Sequence, residues 1–316
     1  VLAITSQHRA GVVYPSTPAT FQGQDQLDLV KPVVKWNGPV FEWTRIPELV
    51  RMAFREMWAG RPGPVHLEIP GPVLYAVGDP ATAPIHRGET GRASLPQASE
   101  AQIAAAADLL ANAKAPVIFA GTGVDRAQAN AALIELAELL GCPVIPSMAG
   151  RAVMPHDHPL YFHSQSPAAD ELRRNADVML FVGSRVGNLD VPFDKYWGDP
   201  AKCRVIHVDV DPRHIGVSRP VAIGMVADVR AALEGLAAKL QGRKLASLGR
   251  ADVAAQRAVF GAWAKAIGDS VIAWQGPGIH PAHALGAVRA LLGPGPVYCA
   301  DGGMTFGQPP TYDNGL

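Results

Sequence analysis

The chain has 316 residues, 48% hydrophobic and 18% charged, with 28 basic residues balanced by 28 acidic ones. That is enough apolar material for two or more cores, and zero formal net charge supplies no pull towards nucleic acid or an anionic membrane. Apolar runs such as "VMLFVG" (178–183) have the length of strands and are far too short to span a bilayer.

The opening "VLAITSQHRAG" has no basic stretch leading into a long apolar one, so it does not read as a signal peptide. "VLAIT" (1–5) reads as a short strand with no lead-in. "IPELVRMAFREMWAG" (46–60) places apolar residues at 46, 49, 50, 53, 54 and 57, a helical stripe. "PVHLEIP" after it is a strand closed by Pro70. These three elements predict a strand–helix–strand piece, residues 1–78, whose own sheet partners are missing. A Pro/Gly/Thr-rich stretch, with its centre at 79–98, reads as a linker.

From residue 99 strands and helices alternate. Helix 99–113 is followed by strand 116–121, helix 127–140, strand 143–147, helix 167–175 and strand 178–183. Strands 204–210 and 222–227 and helix 228–240 complete the run. Near-continuous apolar strands alternating with helices predict a parallel sheet covered on both faces, so 99–241 reads as one doubly wound, dinucleotide-type α/β domain. Residues 242–278 read as a second linker with a helix near 252–267. Helix 281–292 and strand "PVYCAD" (296–301) then begin a third α/β unit over 279–316.

The chemistry-bearing residues sit between these elements. "FAGTGV" is a strand, a turn at Gly121 and Gly123, and a helix. Such a turn brings backbone amides near a phosphate at a helix N-terminus, or is simply a tight turn that needs glycine. "VGSRV" repeats it with Gly183, Ser184 and Arg185. Asp209 in "HVDVD" ends a strand where an acid can hold a ribose hydroxyl, and Asp228 faces an adenine edge or N-caps its helix. Together they outline a crevice for an adenine nucleotide at the carboxyl ends of the strands. Arg61 follows a helix whose carbonyls it could cap.

Cys142, Cys203 and Cys299 are odd in number and far apart. They suit neither a disulfide framework nor a zinc site and read as buried thiols in a reducing cytoplasm. His156 and His158, and the histidines of "PRHIG" and "IHPAH", lack a third ligand at suitable spacing and read as turn and surface residues. No Gly-x-Ser-x-Gly elbow and no basic–aromatic interleaving is present.

Seven segments in one order resemble the thiamine-diphosphate-dependent acetolactate synthase family. They are "ATFQGQDQLDLVKPVVKW" (19–36), "GRPGPVHLEIP" (60–70), "PVIFAGTGV" (116–124), "LLGCPVIPSMAGRAVMPHDHPL" (139–160), "ADVMLFVGSRV" (176–186), "VIHVDVDPRHIG" (205–216) and "IHPAHALGAVRALLGPGPVYCADGG" (279–303). The resemblance implies a doubly wound central domain flanked by parts of two cofactor-binding α/β domains: the end of a pyrimidine-binding domain and the start of a pyrophosphate-binding domain. It implies thiamine diphosphate and Mg2+, with FAD, ADP or no ligand in the central domain.

By the same resemblance, Phe21 and Gln22 line the substrate pocket with Lys35 near its mouth. An aromatic wall there excludes water and an amide orients a 2-oxo acid carboxylate. Arg61 matches a flavin contact, and Met148 joins Gly121, Gly123, Gly183, Ser184, Arg185, Asp209 and Asp228 as cofactor-binding. After Arg185 the chain has "VGNLDVPFD" where the flavin-type synthases carry aspartates. The family's pyrimidine-activating glutamate would precede Val1, and its Gly-Asp-Gly…Asn-Asn metal motif is not in the sequence. The chain alone is therefore expected to be a fragment that neither holds the cofactor tightly nor turns over.

The implied reaction of the whole protein is decarboxylation of pyruvate and transfer of the two-carbon unit, as in branched-chain amino acid biosynthesis, by a cytoplasmic homodimer or homotetramer. The alternatives are a 2-oxo acid or oxalyl-CoA-type decarboxylase or 2-hydroxyacyl-CoA lyase, and a non-catalytic nucleotide-binding or assembly module.

Overall fold

The computed structural model describes residues 1–85, 94–187, 190, 197 and 199–293. The chain divides into two compact units, Val1–Leu95 and Pro96–Leu316. The expected strand 296–301, with Cys299, lies outside the described residues.

The first unit holds β1 (Leu2–Gln7), short helices α1 (Ala10–Val13) and α2 (Gln26–Val30), β2 (Trp36–Pro39), α3 (Ile46–Trp58), β3 (Val65–Pro70) and α4 (Gly71–Leu74). Its sheet is parallel in the order β1-β3-β2, with Leu2 and Trp36 both opposite Val65. The stripe expected on the helix is the one that is used. Leu49, Ala53 and Met57 of α3 bury against Val65 and Leu67, with Ile46, Val50 and Phe54 packed at the margin.

β2 was not legible as a strand, because "WNGP" carries a turn's residues. It survives at the sheet edge, where the missing N–H of Pro39 costs no ladder bond. It changes the connectivity: the strand before α3 in the strand–helix–strand unit is β2, and β1 pairs with β3 from the other side.

The opposite face of this sheet is polar and still buried. Glu68, fully buried, accepts hydrogen bonds from the Tyr14 hydroxyl at 2.5 Å and from Gln7 Nε2 at 3.3 Å. His66 Nε2 and Thr5 Oγ1 are 2.8 Å apart. Burial and the Glu68 hydrogen bond push the Tyr14 hydroxyl well above the usual phenol range, so it stays a donor. Burial also lowers the His66 pKa. A polar cluster sealed this way must be satisfied internally.

The second unit is a five-stranded parallel sheet in the order β5-β4-β6-β7-β8. Its strands are β4 (Pro116–Ala120), β5 (Val144–Pro146), β6 (Val178–Val182), β7 (Arg204–Asp209) and β8 (Ile223–Val226). Its helices are α5 (Glu100–Asn112), α6 (Thr122–Arg126), α7 (Asn130–Leu140), α8 (Pro167–Arg174), α9 (Val229–Leu240), α10 (Ala251–Ile272) and α11 (Pro281–Leu292). α9 packs on α5 and α7, and α10 on α8. Every residue of β4 and β6 is buried, which is why these strands read as continuous apolar runs.

The helix expected at 127–140 begins at Asn130 as α7, and the short α6 precedes it. Gln128 takes φ +50° and breaks the chain between α6 and α7. α5 starts on a capping box made by Ser99 and Gln102, at the expected helix start. The later helix joins the core through Val253 and Phe260. Cys142 and Cys203 are buried free thiols, pushed by burial up to about 12 and about 11. Neither is a thiolate at neutral pH. Among the described residues no helix is long and apolar enough to cross a membrane.

His163 is fully buried and stacks on Trp263 with ring centroids 5.9 Å apart. Burial drives its pKa down from 6.5 to about 4. Its Nδ1 accepts the Gln165 amide, and Nε2 has no partner, so the ring cannot accommodate a second proton cheaply. The unfolded chain takes up that proton between pH 6.5 and about 4 while the folded chain does not. Stability present above pH 6.5 is therefore lost as the pH falls towards about 4, by an amount of order 3 kcal/mol for this group. We expect His163→Phe, which keeps the stack, to flatten the acid limb in urea unfolding followed from pH 7 to 4. An unchanged limb would place the titration elsewhere.

A second expectation concerns α10, where a Cβ on Gly261 meets nothing within 4 Å. Gly261→Ala should raise stability by about 0.5–1 kcal/mol, read as a higher urea midpoint.

Candidate nucleotide-binding edge

In the strand order β5-β4-β6-β7-β8 the chain leaves β4 to one side for β5 and returns to the other for β6. The β4/β6 boundary is thus the topological switch point, where sheets of this kind open a crevice outside the carboxyl ends of the strands. Gly121 and Gly123 follow β4, Met148 follows β5, and Gly183, Ser184 and Arg185 follow β6. Asp209 ends β7 and Asp228 follows β8. The structure brings these eight residues to one edge of one sheet.

The two glycine turns pack against each other. Gly121 N–H donates to Val182 O and Gly123 N–H to Gly183 O, both at 2.9 Å. A Cβ on Gly121 would lie 2.2 Å from the Gly183 oxygen, and one on Gly123 would lie 2.6 Å from Gly183 Cα. Gly183 itself takes φ +59°. These glycines are therefore required for backbone-to-backbone approach. The amides of Gly121 and Gly123 are spent within the protein, and α6 is only five residues long. The alternative of a tight turn accounts for them better than a phosphate cradle at a helix start.

The rest of the edge is a hydrogen-bonded rim. Ser184 is buried; its Oγ accepts the Val186 amide at 3.1 Å and its carbonyl accepts from His207 Nε2 at 2.9 Å. Ser218 Oγ donates to Val186 O at 2.5 Å and reaches Arg185 O at 3.2 Å. Held from both sides, Val186 takes φ +53°, a strained conformation for a β-branched residue. Arg185, in the same turn, is exposed.

Across the crevice Met148 N–H donates to Asp190 Oδ1 at 2.7 Å, and burial raises the Asp190 pKa. Asp209 Oδ1 accepts from the Asp211 amide at 2.9 Å and pairs with His214 Nδ1 at 3.1 Å. Asp211 is held bidentately by Arg213, at 2.9 and 2.7 Å. Asp228 N-caps α9, accepting from the Ala231 amide at 3.1 Å. Asp190, His207, His214 and Ser218 were missed from sequence. They act through loops whose closure no local pattern announces, although "HVDVDPRHIG" does carry both acids and both histidines.

The first-unit candidates do not come together. Phe21 and Gln22 lie at the carboxyl end of the sheet, where His8 Nε2 meets Phe21 O at 2.6 Å and Gln7 Nε2 donates to Gln24 O at 2.7 Å. Phe21 is 77% exposed, and Gln22 takes φ +52°. Lys35 lies at the amino end, its amide donating to Pro64 O at 2.7 Å. The length of β3 separates the two ends, roughly 17 Å at 3.3 Å per residue.

The Lys35 ammonium donates to Ala59 O and to Arg61 O, the latter at 2.9 Å. Lys35 thus places a cation on the carbonyls after α3. Arg61 is exposed. Among the described residues, no three His, Cys, Asp or Glu side chains converge on a metal site.

An α/β unit with this edge matches the family described as "thiamine pyrophosphate enzyme, central domain" over residues 103–236. The chain is 34% identical over 233 residues to a "probable acetolactate synthase large subunit" of Methanocaldococcus jannaschii, covering 70% of this chain and 38% of the relative. It is 33% identical over 223 residues to the glyoxylate carboligase of Escherichia coli O157:H7 (67% of this chain, 36% of the relative). It is likewise 33% identical over 240 residues to the sulfoacetaldehyde acetyltransferase of Castellaniella defragrans (72% and 38%). The matched segments thus span less than half of these relatives. The chain belongs to the thiamine-diphosphate-dependent, acetolactate synthase-like enzyme family.

The glycine contacts give a direct expectation. Gly121→Ala drives a Cβ into backbone that cannot rotate away, so it should destabilise the second unit by about 3 kcal/mol, the upper part of the overpacking range. A thermal midpoint equal to the parent's would show that the turns can separate.

Proposed function

We propose that this protein is a thiamine-diphosphate-dependent carboligase or lyase, acetolactate synthase-like, that decarboxylates a 2-oxo acid and transfers its two-carbon unit. The observation that carries the reading is the reach of the similarity. Identity to the Methanocaldococcus relative extends over 233 residues, well beyond the 134 residues of the matched central domain, 103–236. A nucleotide-binding module alone would share only the central part. This is what weighs against the non-catalytic alternative.

The described residues do not by themselves fit the metal–diphosphate end of the cofactor, since no acidic or histidine cluster is present among them to hold Mg2+. Their proposed contributions are narrower. Phe21 and Gln22, at the carboxyl end of the first sheet, offer an exposed aromatic ring and an amide to the substrate. Lys35 and Arg61, at the other end, are left out of that pocket. At the edge of the second sheet Arg185 and Asp209 are proposed as the side chains that contact an adenine nucleotide, FAD or ADP, with the glycine turns shaping the crevice around it. Assembly as a homodimer or homotetramer belongs to the same proposal.

Similarity at the same level to a carboligase and an acetyltransferase leaves a lyase or decarboxylase of the superfamily as the second reading. The test supplies thiamine diphosphate and Mg2+ to the full-length protein, with the segments that carry the pyrimidine-activating glutamate and the metal motif, and measures carbon dioxide release and carbon–carbon products from pyruvate, glyoxylate and 2-oxobutyrate. Cofactor-dependent release with a ligated product is expected, whereas release of a free aldehyde would select the decarboxylase reading. No release from any of the three acids, with ADP still bound, would overturn the enzyme reading in favour of a binding module.

A further inference from the structure

We infer that His214 is a positioning residue for ribose recognition: it holds Asp209 so that the second carboxylate oxygen accepts a ribose hydroxyl of an adenine nucleotide. The inference rests on the adenine-nucleotide reading of the crevice and adds to it a residue and a discrimination.

Asp209 stands at the carboxyl end of β7, beside the switch point, and is nearly buried. A carboxylate there rotates about its last bond unless something fixes it. Two donors do so on one oxygen: the Asp211 amide at 2.9 Å and His214 Nδ1 at 3.1 Å, both to Oδ1. Because an ionised carboxylate only accepts, His214 is the donor, with its proton on Nδ1. Neither bond uses Oδ2. The carboxylate therefore keeps Oδ2, in a fixed orientation, to accept one ribose hydroxyl.

The neighbouring groups cannot take this part. Asp211 is closed by the bidentate Arg213 and its own turn. Asp228 is engaged as the N-cap of α9. His207, the other histidine of the segment, has Nε2 on Ser184 O and Nδ1 facing the Gly216 amide at 3.4 Å. That leaves His214, whose side chain keeps 18% of its surface exposed against 8% for Asp209.

The test is isothermal titration of the purified protein with ADP and with 2′,3′-dideoxy-ADP, which share base and phosphates and differ only in the diol. The wild type is expected to prefer ADP. His214→Ala should weaken ADP by roughly tenfold, the loss that goes with one hydrogen bond to a charged acceptor, and leave dideoxy-ADP unchanged. His214→Asn, whose amide can donate from nearly the same place, should restore most of the preference. Equal weakening of both ligands would mean that His214 only braces its loop, and an unchanged preference in His214→Ala would mean that it does nothing for Asp209. Either result overturns the inference while the nucleotide reading stands. Failure of the wild type to bind either ligand removes the nucleotide reading, and the inference with it.

Discussion

The carbonyl oxygen of Gly183 accepts the amide of Gly123 at 2.9 Å and would stand only 2.2 Å from a Cβ on Gly121. The turns after β4 and β6 can therefore meet only as glycine against glycine, and most of the second unit follows from that meeting. It lets two adjacent parallel strands end level, with Phe119 beside Phe181 and Ala120 beside Val182. Level ends let the chain diverge, to β5 on one side and β7 on the other, and divergence opens the crevice. Any side chain on these turns would push the strands apart at the point where the sheet changes direction. The same glycines commonly taken as a mark of phosphate binding are here first a condition of the fold.

The first unit solves a different problem. A three-stranded parallel sheet has two faces to cover, and only one of them is apolar. The α3 face is dry, with Val65 and Leu67 under Leu49, Ala53 and Met57. The other buries Glu68, His66 and Gln7, which is tolerable because the carboxylate receives Tyr14 and Gln7 and the imidazole meets Thr5. Removing Tyr14 or Gln7 would leave a buried acceptor short of a donor, which costs more than the bond itself contributes. The network also links β1, β3 and the segment after β1, with His66 Nδ1 left buried without a hydrogen bond.

Much of this was legible in the sequence, for reasons that can be stated residue by residue. β4 and β6 are covered on both faces, so their apolar runs need no other interpretation. The stripe from Ile46 to Met57 has only one helical face to bury. "WNGP" failed as a strand because Gly38 and Pro39 signal a turn, and only pairing with β3 makes it extended. His66 and Glu68 alternate with Val65 and Leu67, a period-two pattern whose polar half is conventionally assigned to solvent. In this unit that half is buried. At the crevice the strand-end residues were visible, since strand, glycine and acid are local signals. The rim that orients them was not, because Ser218 and His214 act across loops. The sequence grouping of Phe21, Gln22 and Lys35 failed for a comparable reason: twelve residues between Gln22 and Lys35 are enough to cross the sheet from one end to the other.

Val186 shows what the rim is for. A β-branched residue at φ +53° carries a backbone cost of about 1–3 kcal/mol and persists only where its surroundings leave no other choice. Here the constraint comes from the amide side, through Ser184 Oγ, and from the carbonyl side, through Ser218 Oγ at 2.5 Å. Ser184 is itself tied to β7 by His207, and the loop bearing Ser218 is tied to the same histidine through Gly216. The strained turn is thus clamped between β6 and the segment after β7. Arg185, the residue before Val186, is exposed at the crevice, and Asp209 is fixed on the adjoining strand by His214. The conformational cost of fixing the backbone at Arg185 and the carboxylate of Asp209 at one edge is met during folding. That is the energetic meaning of preorganisation.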